Sequence, residues 1–195
     1  MGRASARKQT LKIAEPAPLL KLDLGCGPHK RQDFHGVDSF QFVGVDTVWD
    51  LRQTPWPWAD NSVSEAHASH FIEHLTALER VQFCNELWRV LVPGGTCQII
   101  VPHWASNRAY GDFTHQWPPV AEMWFYYLSK DWRLSQAPHT DVSVHPRGLR
   151  CNFECTWGYS LRQDLLVRNT EFQQFALGNY KEAAQDLQAH LKALK

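Results

Sequence analysis

The chain has no net charge to offer: across its 195 residues, 20 Lys and Arg are balanced by 20 Asp and Glu. A balanced chain carries no global field to gather nucleic acid or anionic lipid. That argues against a DNA-wrapping protein and leaves open only a nucleic-acid substrate held locally. Long apolar runs are also missing, and nothing approaches the ~20 residues needed to cross a bilayer. The amino end is basic without the apolar core of a signal peptide, and Ala6 stands where myristoylation wants Ser or Thr. A soluble cytoplasmic protein with no membrane partner is the expectation, its oligomeric state open. Cysteines are few and odd in number: Cys26, Cys84, Cys97, Cys151 and Cys155. Without secretory context this favours reduced thiols. Cys151 and Cys155 have a spacing that zinc pairs can use, but no second Cys pair accompanies them. Internal repeats and inter-domain linkers are absent too.

The length fits one domain with a real core. Residues 1–18 read as a flexible basic arm, with Arg3, Arg7, Lys8 and Lys12 ahead of Pro16-Ala17-Pro18, and residues 19–195 as a single domain. The most informative run is Leu22-Asp23-Leu24-Gly25-Cys26-Gly27-Pro28: a buried strand breaking into a glycine turn, with an acid just before the break. Such a turn brings bare backbone close to a ligand, because glycine has no Cβ to hold it off. A small polar cofactor at the C-terminal edge of a parallel sheet uses this arrangement.

Strands are expected at Leu19 to Leu24, at His35 to Asp38, over Phe42 to Leu51, and near Val63 to Ser69. A helix over Leu75 to Leu91 follows from Leu75, Leu78, Val81, Leu87, Val90 and Leu91, and Pro93-Gly94-Gly95 marks its end. Thr96 to Val101 reads as the fifth strand. This alternation predicts an α/β fold, a three-layer α/β/α sandwich on a Rossmann-like, mostly parallel sheet. Further on, His103 to Gln116 reads as loop and Pro118 to Lys130 as an aromatic-rich, helical stretch. Two strands are expected within Cys151 to Arg168, and an amphipathic helix over Tyr180 to Leu194.

Four stretches, in order and spacing, resemble the class I S-adenosylmethionine (SAM)-dependent methyltransferases, and within them the small "methyltransferase type 11"-like group. Leu22-Asp23-Leu24-Gly25-Cys26-Gly27 resembles the family's first motif. Asp50-Leu51 with Pro57-Trp58-Ala59-Asp60-Asn61-Ser62 resembles "D-L…PFPDNSFD". Ser69-His70-Phe71-Ile72-Glu73-His74-Leu75 resembles "S-x-x-x-E-H-L", and Trp88 to Gly95 resembles "R-V-L-K-P-G-G". Together they cover about Lys21 to Pro102, and Tyr110-Gly111-Asp112-Phe113-Thr114-His115 resembles that group's "Y-G-D-P-T-H". Two departures stand out. His29 replaces a frequent third glycine, and only 15 positions separate Asp23 from Asp38, so the first crossover helix must be truncated or replaced by a loop.

The resemblance implies SAM as cofactor, S-adenosylhomocysteine as product, and the following roles. Gly25, Cys26 and Gly27 meet the methionine part through the backbone, with Asp23 near the sulfonium or ammonium. Asp38 accepts from the ribose hydroxyls, Asp50 from the adenine amine, Leu51 packs the ring, and His70 sits beside the sulfonium. A turn or cap role is the competing reading for Asp38 and Asp50.

Methyl transfer needs alignment, exclusion of water and sometimes a base. Imidazoles titrate near neutrality, so His103, and His115 with Asp112, are the candidates for proton chemistry. Histidines here, including His70 and His74, could instead hold a divalent metal, which is not expected. Trp104, Trp117, Trp124 and Trp132, with Phe125, Tyr126 and Tyr127, read either as an acceptor lid that stacks on planar groups or as core. The fourth-strand segment Ser69-His70-Phe71-Ile72 lacks the Pro-Pro-aromatic tetrad of amino-methylating DNA enzymes. No Pro-Cys nucleophile of cytosine-C5 enzymes occurs. Transfer to an O or N atom of a small molecule is the expected activity. A non-catalytic SAM-binding partner and a histidine-based metal hydrolase are the alternatives.

Overall fold

The computed structural model describes residues 18–195, so the basic arm expected over residues 1–18 lies, but for Pro18, outside the described residues. Seven strands form one sheet: β1 (Leu20–Leu24), β2 (His35–Asp38), β3 (Thr47–Val48), β4 (Val63–Ser69), β5 (Leu91–Pro102), β6 (Phe153–Leu161) and β7 (Ala184–Ala193). Their order is β3-β2-β1-β4-β5-β7-β6. Strands β1 to β5 pair in parallel, and β7 runs antiparallel to β5 and β6. Helix α1 (Ala77–Val90) joins β4 to β5. Between β5 and β6 lie α2 (Arg108–Gly111), α3 (Glu122–Tyr126), α4 (Lys130–Gln136) and α5 (Asp141–Val144). Helices α6 (Gln163–Leu166) and α7 (Thr170–Asn179) lead from β6 to β7. This is the α/β, Rossmann-like, mostly parallel sheet with flanking helices that the strand–helix alternation predicts. Residues 25–34 carry no helix at all, so the first crossover is reduced to a loop.

Strand side chains alternate between faces. Leu22, Leu24, Ala66, Ala68, Ile99 and Leu187 share one buried cluster with Phe83, Cys84 and Leu87 of α1. Lys21, Asp23, Glu65 and His67 take the other face and pair across strands, Lys21 with Glu65 at 2.8 Å and His67 with Asp23 at 2.8 Å. Helix α1 starts at a capping box. The Thr76 N–H donates to Glu79 Oε2 at 2.8 Å and the Glu79 N–H to Thr76 Oγ1 at 3.4 Å. Among the described residues, no helix is long and apolar enough to cross a membrane.

Several expectations are corrected. The carboxyl-terminal segment is a strand: Leu187, Ala189, Leu191 and Ala193 are buried at every second position, and β7 fills the gap between β5 and β6. Helix-favouring composition yields there to two hydrogen-bonded neighbours. Only β6 occupies the region where two strands are expected, because the chain turns into α6 at Gln163. Strand β3 keeps two residues of its expected ten. Val43 stands 95 % exposed, and Asp46 takes the Gly36 N–H and the Lys30 ammonium on one oxygen, at 2.7 and 2.8 Å. Leu78 lies on the outer face of α1. The helix stops at Val90 and β5 begins at once, so Pro93-Gly94-Gly95 forms an irregularity inside the strand. The aromatic stretch divides: Phe125 is core and lies against Trp157, whereas Trp104, Trp117 and Tyr126 are exposed.

Candidate active site

The C-terminal ends of β1, β2 and β4 open into a cleft of about 350 Å³, within the ~300–1,000 Å³ of ligand pockets. Of the expected cofactor residues, Gly25, Asp38, Asp50, Leu51 and His70 all line it, together with Phe71 and His74. Gly25 leaves β1 at φ +71°, and a Cβ there would stand 2.5 Å from the Phe71 ring. Only glycine fits this turn. Gly27, at φ +53°, follows in the same left-handed region. Its N–H donates to Asp38 Oδ2 at 2.9 Å, while the Phe40 N–H donates to Asp38 Oδ1 at 3.0 Å. The end of β2 thus braces the turn after β1, and each Asp38 oxygen keeps a lone pair.

Asp50 holds Arg52 through two parallel bonds, Nε to Oδ1 at 2.9 Å and Nη2 to Oδ2 at 3.0 Å. Its Oδ1 also accepts from the Arg52 N–H at 3.0 Å, the turn role weighed above. The Arg52 hydrogen bonds hold the Asp50 carboxyl below the usual range, against the opposing effect of burial. Buried Leu51 turns its carbonyl to the Trp56 indole N–H at 3.0 Å.

Asp23, Cys26 and Gly27 do not line the cleft. The pleat sends Asp23 to the polar face of the sheet. There Oδ2 accepts from the Arg31 N–H at 2.7 Å and Oδ1 meets His67 Nδ1 at 2.8 Å, so this acid ties down the loop after β1. Burial, then the charges of Asp23 and Asp38, push the Cys26 thiol to about 11 and keep it protonated near neutral pH.

At the other end of the cleft His70 leaves β4 at φ +53°, an uncommon conformation for a residue with a side chain. Its Nδ1 meets Glu73 Oε1 at 3.3 Å and its Nε2 lies 3.9 Å from Asp186. The Glu73 hydrogen bond raises the His70 pKa, and burial opposes it. Glu73 and His74 lie in a single 3₁₀ turn, Ile72–His74. Against that turn sits the segment bearing Asp112 and His115. The Arg80 side chain, 3 % exposed, donates to the carbonyls of Ile72 and Glu73 on one side and of Gln116 and Pro118 on the other. The Gln116 N–H adds a bond to the Glu73 carbonyl at 2.8 Å. So clamped, the His74 and His115 rings lie 4.8 Å apart. Thr114 Oγ1 bridges His74 to Asp112, 2.9 Å from His74 Nδ1 and 2.6 Å from Asp112 Oδ1.

His103 lies apart from this group. It is 2 % exposed and outside the cleft lining, with Nε2 2.9 Å from Glu122 Oε1 and Nδ1 accepting from the Ala105 N–H at 3.3 Å. The accepting Nδ1 makes Nε2 the donor to Glu122. Trp104 Nε1 donates to the other Glu122 oxygen at 3.1 Å. Burial alone would raise the Glu122 carboxyl, but the His103 hydrogen bond leads the contacts that hold it at about 2. Sequence reasoning gave no role to Glu73, Arg80 or Glu122. Glu73 had a signal, since it precedes His74 in the stretch after β4. The other two owe their places to long-range partners.

No protein-family model matches the chain, and no curated protein sequence matches it. Solved structures do. A SAM-dependent methyltransferase from Archaeoglobus fulgidus superposes with a TM-score of 0.60 at 15 % identity, covering 90 % of this chain and 86 % of its own. One from Methanosarcina mazei gives 0.52 at 13 % identity, covering 89 % and 92 %. The geranyl diphosphate C-methyltransferase of Streptomyces coelicolor, solved with Mg²⁺, geranyl diphosphate and S-adenosyl-L-homocysteine, gives 0.52 at 14 % identity, covering 90 % and 73 %. The chain, with its mostly parallel seven-stranded sheet and flanking helices, therefore has the fold of these SAM-dependent methyltransferases.

Proposed function

We propose that the protein binds SAM in this cleft and transfers its methyl group to an O or N atom of a small-molecule acceptor. One observation carries the reading: Gly25, Asp38, Asp50, Leu51 and His70, from four separate segments, line a single cleft. The residues present fit such a guest. Gly25 lines the cleft beside Phe71, whose ring takes the space that a Cβ on Gly25 would need. Asp38 has accepting capacity left for ribose hydroxyls, and Leu51 and Trp49 offer apolar surface to a base.

When bound, the cofactor supplies a methyl carbon already activated by its sulfonium. The chain's own part is to position the acceptor and keep water out. The proton candidates Asp112 and His115 stand behind His74, outside the cleft lining, and are assigned to positioning it, Asp112 through Thr114 and His115 through its ring. His103 is assigned to holding Glu122, because both of its nitrogens are engaged. Asp23 is assigned to anchoring the loop after β1.

Calorimetry with SAM and S-adenosylhomocysteine tests the binding, with a Kd on the order of micromolar expected. Asp38→Ala removes both the brace on Gly27 and the ribose acceptor. It should weaken binding by about 1–3 kcal/mol, and unchanged affinity overturns the assignment. Formation of S-adenosylhomocysteine with candidate acceptors then separates an enzyme from a SAM-binding partner protein.

A further inference from the structure

Among the described residues, one side-chain nitrogen or oxygen is buried with no hydrogen-bond partner, Oε2 of Glu73. Such an atom in a packed interior calls for an occupant. Two imidazoles lie near the same side chain. One ligand atom from each of Glu73, His74 and His115 falls within 4.8 Å of the others, the sole such group of three among the described residues. His74 uses Nδ1 on Thr114, and His115 uses Nδ1 on the Ala109 carbonyl at 3.2 Å. Both Nε2 atoms are thereby left without a protein partner. This is how metal-binding histidines are held: the second nitrogen is pinned by a hydroxyl, carbonyl or carboxylate, which fixes tautomer and ring direction. Asp112, accepting from Thr114, completes that outer layer. Arg80 supplies the remaining rigidity and spends its N–H groups on main-chain carbonyls.

From this geometry we infer that Glu73, His74 and His115 bind one divalent transition-metal ion at the acceptor end of the cleft. Two imidazoles and one carboxylate suit zinc or cobalt better than magnesium, which prefers oxygen ligands. A tetrahedral site with bonds of ~2.1 Å has edges of ~3.4 Å, so small side-chain rotations close the group on an ion. Three protein ligands leave coordination open, and of the three His74 lines the cleft. There the ion holds an oxygen donor of the acceptor, a clause that rests on the methyl-transfer reading. His103 takes no part in the group, since its Nε2 is committed to Glu122 at 2.9 Å.

The test is titration of metal-free protein with Co²⁺, read by its visible d–d absorption, with Zn²⁺ as competitor. One ion per chain is expected. Glu73→Gln and His115→Ala should each weaken it at least tenfold, with folding checked by circular dichroism. His139→Ala, on the exposed surface, should leave it unchanged. Acetohydroxamate added to the Co²⁺ form should shift the band if coordination is open. Absence of saturable binding overturns the inference, as does equal binding by His115→Ala and the native chain. SAM titration of the same metal-free protein keeps the two readings apart, since each can fail while the other stands.

Discussion

Replacing Gly25 by alanine adds two separable costs. The residue sits at φ +71°, where an L side chain costs about 1–2 kcal/mol. The added methyl would also lie 2.5 Å from Phe71 Cδ2 and 2.6 Å from Cγ, against the ~3.5–4.0 Å of an ordinary carbon contact. Displacing the ring adds about 1–3 kcal/mol. Gly25→Ala should therefore lower stability by roughly 2–5 kcal/mol in urea unfolding. Phe71→Ala removes the ring and keeps only its Cβ, 3.0 Å away. On that background Gly25→Ala should cost mainly the backbone part, leaving a coupling of about 1–3 kcal/mol in the double-mutant cycle. Calorimetry with S-adenosylhomocysteine on the same four proteins reports whether the turn also meets the ligand. A Gly25→Ala effect below ~0.5 kcal/mol, or the same cost on both backgrounds, refutes the claim that the Phe71 ring dictates glycine here.

Arg80→Met keeps the stem but strands carbonyls on both sides of the clamp; stability should fall by about 2–5 kcal/mol, and the Gln116 amide should exchange faster with deuterium. An unchanged melting temperature contradicts the clamp. Glu122, held at about 2, contributes stability that is present above the unfolded carboxyl value of ~4.3 and is lost as the pH falls towards 2. Glu122→Gln should flatten that part of the stability–pH curve in urea midpoints. His70, with its pKa raised, contributes stability that is present below the unfolded value of ~6.5 and is lost as the pH rises through the higher folded one. Titrating its ring protons by NMR in Glu73→Gln should show the midpoint move down, and no movement refutes the Glu73 contact as the cause.

The parts legible in the sequence are those set by local chemistry. The β1 turn follows from Gly25 and Gly27, whose backbone angles need no distant partner, and α1 from its periodicity, although Pro93-Gly94-Gly95 lies inside β5 and not at the helix end. β7 was not legible. Tyr180 to Leu194 is rich in Ala, Leu, Lys and Gln, which suit a helix, and the strands that claim it lie far away in sequence. The site divides in the same way. Asp38, Asp50 and His70 reach the cleft because strand ends on one edge of a parallel sheet must point there. Asp23, one position before the break, is sent to the opposite face by the pleat. His103 looked free because its partner, Glu122, comes from a helix after an irregular connection. Glu73 was in view but mute, since its meaning depends on burial that only packing supplies.

Because a single guanidinium fastens the turn at Ile72–His74 to the chain at Gln116–Pro118, those two walls travel together or not at all. Independent movement then falls to the residues ahead of Gln116, where Tyr110 and Phe113 stand exposed. Loosening the Arg80 side chain should accordingly free both segments at once, never one of them alone.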